Sequence, residues 1–319
     1  MSLLYKYVPP DLVAETPRPL RILQTMQLIV ANPSSFNDPF EVRPAFDQER
    51  HDHAARTSEA FHWRMLGIEH PIIQGRSMVG QATETAFGFG ERLNERFRTE
   101  IGRRFRILSL SKNRKSVLMW GHYASSHRGV AIAIDPDASG FYQGHRQGRF
   151  EIHYSASREF KLPLAWYRNP RVEVFDSHGN ILNSPDEAVE SAGGLVVSFR
   201  EYRRQVDEAS ITALTTKAQD WHYEQEVRFI YDLSRHSDQL VSANNFHFVV
   251  IPVHALREII VGFRADVELV RAIVSLYRDG RIGKPRLFIS GCHPYLYEVQ
   301  VHETDDQYLL DYFASGMAT

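Results

Sequence analysis

The chain has 319 residues, 43% hydrophobic and 24% charged, with a formal net charge of −2. That balance excludes bulk attraction to nucleic acid or to an anionic membrane, although local patches stay open. One cysteine, Cys292, excludes an internal disulfide and multi-cysteine zinc, and no apolar run approaches the ~20 residues of a membrane helix. The opening MSLLYKYVPPD lacks a basic stretch followed by an apolar run, so we expect no signal peptide, no membrane partner and a cytoplasmic, bacterial-type protein.

Leu3 to Val8 reads as a short strand stopped by Pro9-Pro10. In Leu20–Val30 the first half is helical and the last residues strand-like, and Asn32 to Ser35 makes a turn. Residues 47–104 are polar, rich in His, Arg and Glu, and read as a helical insertion. Arg106–Ser111 alternates as a strand with Ser109 and Ser111 on one face. Ser116 is an N-cap for a short helix carrying Val117 to Tyr123, His127 to Gly129 is a turn, and Val130–Ile134 is a buried strand. A second helical insertion covers about 157–217. Tyr223–Tyr231, Phe246–Ile251 and Leu256–Val261 read as strands, followed by an amphipathic helix over Ala265–Tyr277. Arg286–Ile289 and Tyr295–Val301 add final strands. Strands scattered between helices of uneven length predict one α+β domain over residues 1–319.

The stretch Trp221 to Phe229 carries the most chemistry. Read as a strand, it puts Trp221, Tyr223, Val227 and Phe229 on one face and His222, Glu224, Glu226 and Arg228 on the other. Two carboxylates and a guanidinium in one row suit a cleft floor, where a Glu-x-Glu pair can hold a sugar or activate a hydroxyl. A surface ion-pair ladder gives the same pattern. Phe36-Asn37-Asp38-Pro39-Phe40-Glu41 is either a core-plugging turn or a loop that turns Asn37, Asp38 or Glu41 toward a polar ligand. Ser109-x-Ser111-Lys112 presents hydroxyls that serve a ligand or merely satisfy neighbouring backbone. On the helix, Met119 and Tyr123 share a face, and His122 and Tyr123 carry polar handles that a purely structural helix does not need. His51-Asp52-His53 has the wrong spacing for a metal on one helical face and no His-Glu-x-x-His occurs, so no bound metal is expected. Arg96 to Arg106, interleaved with Phe97 and Phe105, forms a basic cluster readable as a phosphate holder or a solvated face.

Together, Leu4–Tyr7, Phe36–Glu41, Ile107–Lys112, Leu118–Ala124 with His127-Arg128-Gly129, and Trp221-x-Tyr-Glu-x-Glu-x-Arg228 resemble the ordered blocks of a bacterial family of unknown function. More distantly, the order of blocks is similar to that of ADP-ribosyltransferases. That resemblance implies a mixed, split β-sheet core with helical insertions and NAD as co-substrate. It places Tyr5 or Lys6 near the ribose or diphosphate, and Ser109, Ser111 and Tyr123 around nicotinamide. It gives Glu226 the ribose hydroxyl and the oxocarbenium-like transition state, and Glu224 the acceptor. Asn37, Asp38, Glu41, His122, Trp221 and Arg228 complete the candidate cleft. The first block has no arginine or histidine, the middle block reads Ser-Leu-Ser, and Arg228 lies two residues past Glu226. The expected activity is transfer of ADP-ribose to a protein or nucleic acid, as in a toxin or phage-defence effector. The competing expectations are a non-catalytic recognition module and a metal-dependent hydrolase or nuclease.

Overall fold

In the computed structural model Leu4–Val8 forms the first strand, β1, ended by the proline pair as the sequence predicts. The structure describes residues 2–45, 94–142, 148–158 and 199–316. Most of the two expected helical insertions and the His51-Asp52-His53 run lie outside the described residues. Two compact units emerge: Met1–Phe36, Arg104–Tyr154 and Gln219–Thr319 in one, Asn37–Arg103 and Ser155–Ala218 in the other.

The first unit is built on an eight-stranded sheet. After β1 come β2 (Phe105–Ser111), β3 (Val130–Ile134), β4 (Arg149–Glu151), β5 (Glu226–Asp232), β6 (Leu256–Val261), β7 (Arg286–Cys292) and β8 (Val299–Thr304). Their spatial order is β8-β7-β6-β3-β1-β2-β5-β4. Only the β6–β7 pair is parallel, joined through the helix Val267–Arg278, so the sheet is mixed and the fold is α+β. One face packs Leu108, Leu110, Val227, Phe229, Ile132 and Ile259 against apolar residues of three helices, Arg18–Thr25, Val267–Arg278 and Asp306–Ala314. The other face carries Tyr5, Tyr7, Ala131, Ala133, Ile260 and Phe288 under Met119 and Trp120 of the helix Val117–Tyr123. Ser116 caps that helix as expected, its hydroxyl accepting from Met119 N–H at 3.3 Å.

The sheet parts between β1 and β2. β1 pairs with β3 along its whole length, but with β2 only at Tyr5 and Ser111 among the described residues. Further along, β2 is met instead by Ala31, whose N–H and C=O both bond Ile107, at 2.7 and 2.9 Å. Ala31 follows Gln27–Val30, an edge of a separate three-stranded sheet with Phe246–Val250 and Val241–Ala243.

After the Val117–Tyr123 helix the chain makes a turn in which Ser125, Ser126 and His127 all have φ between 48° and 67°. Three successive left-handed residues with side chains are costly, so surrounding structure must impose them. Gly129 and Gly262 supply that frame. Their backbones touch, Gly262 N–H donating to Gly129 C=O at 2.9 Å. A Cβ on Gly129 would stand 2.1 Å from Val8 O, and one on Gly262 2.1 Å from His127 O. Both obstacles are backbone and neither can swing aside. Gly129→Ala and Gly262→Ala are each expected to cost about 2 kcal/mol or more, read as a lowered urea midpoint; unchanged midpoints would refute the close approach.

The second unit contains helical residues 94–103 and the helix Phe199–Thr215. Phe97 and Ile101 are buried, so the arginine-rich stretch has an apolar face. Glu41 and Lys217, both buried, face each other at 4.0 Å, and Arg158 lies over the Phe40 ring.

Candidate functional site

The register of β2 and β5 sets the site. Glu226 stands opposite Ser111 and Arg228 opposite Ser109, so all four side chains leave the same face, and Tyr5 joins them beside Ser111. The strand expected over Tyr223–Tyr231 begins only at Glu226. Trp221 to Glu224 belong to a 3-10 helix, Gln219–Glu224, so the expected alternation of His222 and Glu224 with Glu226 does not exist. Gln225 causes the break: at φ 44° it leaves extended geometry, its N–H returns to His222 C=O at 3.1 Å, and its C=O accepts from Lys112 N–H at 3.0 Å.

That corner brings Glu224 back to the sheet by another route. The Ser111 hydroxyl donates to Glu224 C=O at 2.6 Å and accepts from Asn113 N–H at 3.0 Å, so it clamps backbone. The Glu224 carboxylate, on a buried residue, accepts from the Tyr123 phenol at 2.5 Å. Burial first, and the Glu224 charge second, raise the Tyr123 pKa far above the ordinary phenol value, so it stays a donor.

Glu226 is held differently. Arg228 Nε and Nη2 grip its two carboxylate oxygens at 2.8 and 3.0 Å, and Arg228, only 1% exposed, lies 4.8 Å over the Phe36 ring. The Glu226 N–H donates to the Tyr154 hydroxyl at 2.8 Å. This is a closed, buried fork and no surface ladder.

Lys6 comes from the opposite face of β1, reaching the seam to donate from Nζ to Ser109 C=O at 3.1 Å. Burial lowers its pKa, while the Glu226 and Glu224 carboxylates push it back up. Half-buried rings border Glu224: Trp221 and Tyr223 have centroids 6.0 Å apart, and exposed His122 is 6.1 Å from Tyr223. Exposed His222 packs edge-on against Tyr154 at 5.2 Å.

Asn37, Asp38 and Glu41 belong to the second unit. There Asp38 Oδ1 accepts from Phe40 N–H at 2.8 Å, the Asx-type turn that the sequence offered. The basic cluster is engaged too: Arg104 bonds Asp232 through Nε and Nη2 at 3.1 and 2.7 Å, Arg103 pairs with Glu100, and Arg106 donates to His247 Nδ1 at 3.2 Å. Among the described residues no group of three or more His, Cys, Asp or Glu side chains is placed to hold a metal. No described helix is long and apolar enough to cross a membrane.

Sequence reasoning passed over Arg114, Glu258 and Arg286. A lone carboxylate within the apolar run Leu256–Val261 was the available signal. Glu258 is buried and bonds Arg114 Nη1 at 3.1 Å, Arg286 Nη2, and the Tyr5 hydroxyl at 3.4 Å. Reasoning also missed the role of His127, whose ring stacks on Trp120 at 5.6 Å and touches Phe263 at 4.8 Å.

Two histidines make stability depend on pH. Burial, then Arg264, lowers the pKa of His127, whose Nδ1 has no hydrogen-bond partner among the described residues. Burial, then Arg106, lowers that of His247. Both are neutral when folded and bind protons more readily when unfolded. Their contribution is therefore intact above the unfolded value of about 6.5 and is lost as pH falls from there through the folded values. Urea midpoints are expected to fall between about pH 7 and about pH 5, with a shallower slope in His127→Phe. An identical slope in that variant would remove His127 from the account.

The first unit is thus a mixed-sheet α+β structure with a polar cluster of Tyr123, Ser111, Glu224, Glu226 and Arg228 beside a seam in the sheet. Residues 119–229 match the model of a family described as a protein of unknown function, DUF2971, which fits the expectation of a family of unknown function. That stretch runs from the Met119–Trp120 pair to the strand of Glu226 and Arg228, taking in the left-handed turn. No curated protein and no solved structure matches the chain.

Proposed function

We propose that the chain is an NAD-dependent ADP-ribosyltransferase-like enzyme that modifies a macromolecule, a chemistry suited to a toxin or phage-defence effector. One observation carries this reading. Beside the pairing of β1 with β2 at Tyr5 and Ser111, Tyr123 and Glu224 form a hydrogen-bonded pair, and Ser109, Ser111, Glu226 and Arg228 share the adjoining sheet face. In this reading the bond between ribose C1′ and nicotinamide breaks, the bonding pair leaves with nicotinamide, and an acceptor nucleophile bonds C1′. Glu226, fixed in one rotamer by Arg228, accepts from a ribose hydroxyl. Glu224 faces the acceptor and takes its proton, with the Tyr123 phenol fixing the carboxylate.

Because Arg228 cancels much of the Glu226 charge, this carboxylate acts chiefly by positioning, and Glu224 becomes the residue whose loss should matter most. The same closed fork favours the second reading, a recognition module that binds a nucleotide without turning it over. Nicotinamide release by the purified protein incubated with NAD tests the proposal. Binding of NAD with no release would support the module, and neither binding nor release would sink the transferase reading.

A further inference from the structure

The polar row on the sheet face continues past Tyr5. Glu226 stands opposite Ser111, Ser111 opposite Tyr5, Tyr5 opposite Ala133 and Ala133 opposite Glu258. At about 4.8 Å per strand these four steps make roughly 19 Å. Ala133 is buried beneath Met119 and Trp120, and the Tyr5 phenol passes it to reach Glu258. Beyond lie Arg114 and Arg286, opposite Glu258 on the parallel strand β7.

We infer that Arg114 and Arg286, mounted on Glu258 and Phe288, form a diphosphate-binding site. Each guanidinium bonds a different oxygen of the buried Glu258 carboxylate, Arg114 at Oε2 and Arg286 at Oε1. Both lie over one buried ring, with Arg114 Cζ 5.2 Å and Arg286 Cζ 5.4 Å from the Phe288 centroid. One carboxylate and one ring hold both guanidinium groups, the donor type that bidentate recognition of phosphate oxygens uses. Glu258 uses one oxygen on each. Arg114 Nε and Nη2 make no hydrogen bond to described residues, and both guanidinium groups reach solvent, with side chains 32% and 57% exposed. The two cations face one buried carboxylate, Glu258, and one exposed carboxylate, Glu303. Glu303, 3.6 Å from Arg286, is itself 57% exposed and opposes the Arg286 charge only weakly through water.

The site is tied to the cluster already described. Arg114 follows Asn113, whose N–H is held by the Ser111 hydroxyl and whose C=O accepts from Tyr7. That the diphosphate is the one in NAD rests on the proposed function; the anion site does not.

Calorimetric titration of the full chain with inorganic pyrophosphate at low salt tests this. Wild type should bind, Arg114→Gln and Arg286→Gln should each weaken binding by about tenfold, the weight of one charged hydrogen bond, and the double variant should not bind. With NAD, Arg114→Gln should raise KM and leave kcat near wild type. No pyrophosphate binding by wild type, equal binding by the double variant, or binding of a single-stranded oligonucleotide in place of pyrophosphate would overturn the site. Pyrophosphate binding without NAD turnover would sink the transferase reading alone. Turnover indifferent to both arginines would overturn the assignment of this site to the NAD diphosphate.

Discussion

Glu224→Gln is expected to slow nicotinamide release from NAD by on the order of 10²- to 10³-fold, the usual cost of removing one preorganised charged group from a reacting centre. The substitution is gentle on structure. Glutamine keeps an oxygen that can accept from Tyr123, and the backbone C=O of residue 224 still receives the Ser111 hydroxyl. Urea midpoint and far-ultraviolet circular dichroism should therefore stay near wild type while the rate collapses. A variant that releases nicotinamide at the wild-type rate would remove Glu224 from the chemistry. A variant that loses rate and fold together would show the residue to be a structural clamp.

Glu226→Gln should behave in the opposite sense, losing about 3 kcal/mol of stability because it strips the carboxylate charge from a fork whose guanidinium stays buried. Its activity loss cannot then be read as catalytic. The informative partner is Glu226→Gln combined with Arg228→Met, which removes the buried cation as well and should recover most of the lost stability. Denaturant melts of the two singles and the double give the coupling directly. If Glu226→Gln melts with wild type, the fork carries no weight and Glu226 returns as an equal candidate for the chemistry. If the double variant is stable and releases nicotinamide at the wild-type rate, Glu226 has no part in holding the ribose.

The sequence announced elements whose signals are local. β1 ends where two prolines forbid its continuation, Ser116 opens a helix at the expected residue, and Ser109 and Ser111 share a face because β2 alternates. The Trp221–Phe229 stretch misled for the same reason. It alternates too, and the corner that breaks it is made by Gln225, a residue type with no turn signature, adopting positive φ under tertiary constraint. Glu224 and Tyr123 were both candidates, yet their meeting across 101 positions has no local trace. Arg114 and Arg286 reach Glu258 over sequence separations of 144 and 28, and a charge inside an apolar strand says only that some partner must exist.

The seam between β1 and β2 gives the sheet a third edge, hidden in its interior. Unpaired strand edges recruit other strands, and proteins ordinarily blunt them at the periphery. Here the blunting is done position by position: Ser111 by the strand partner Tyr5, Ser109 by the ammonium of Lys6, Ile107 by the isolated bridge to Ala31. An intruding strand would have to displace a lysine and a two-bond bridge before it found a row of acceptors. The opening in the sheet is therefore closed to backbone while its flanks stay lined by side chains.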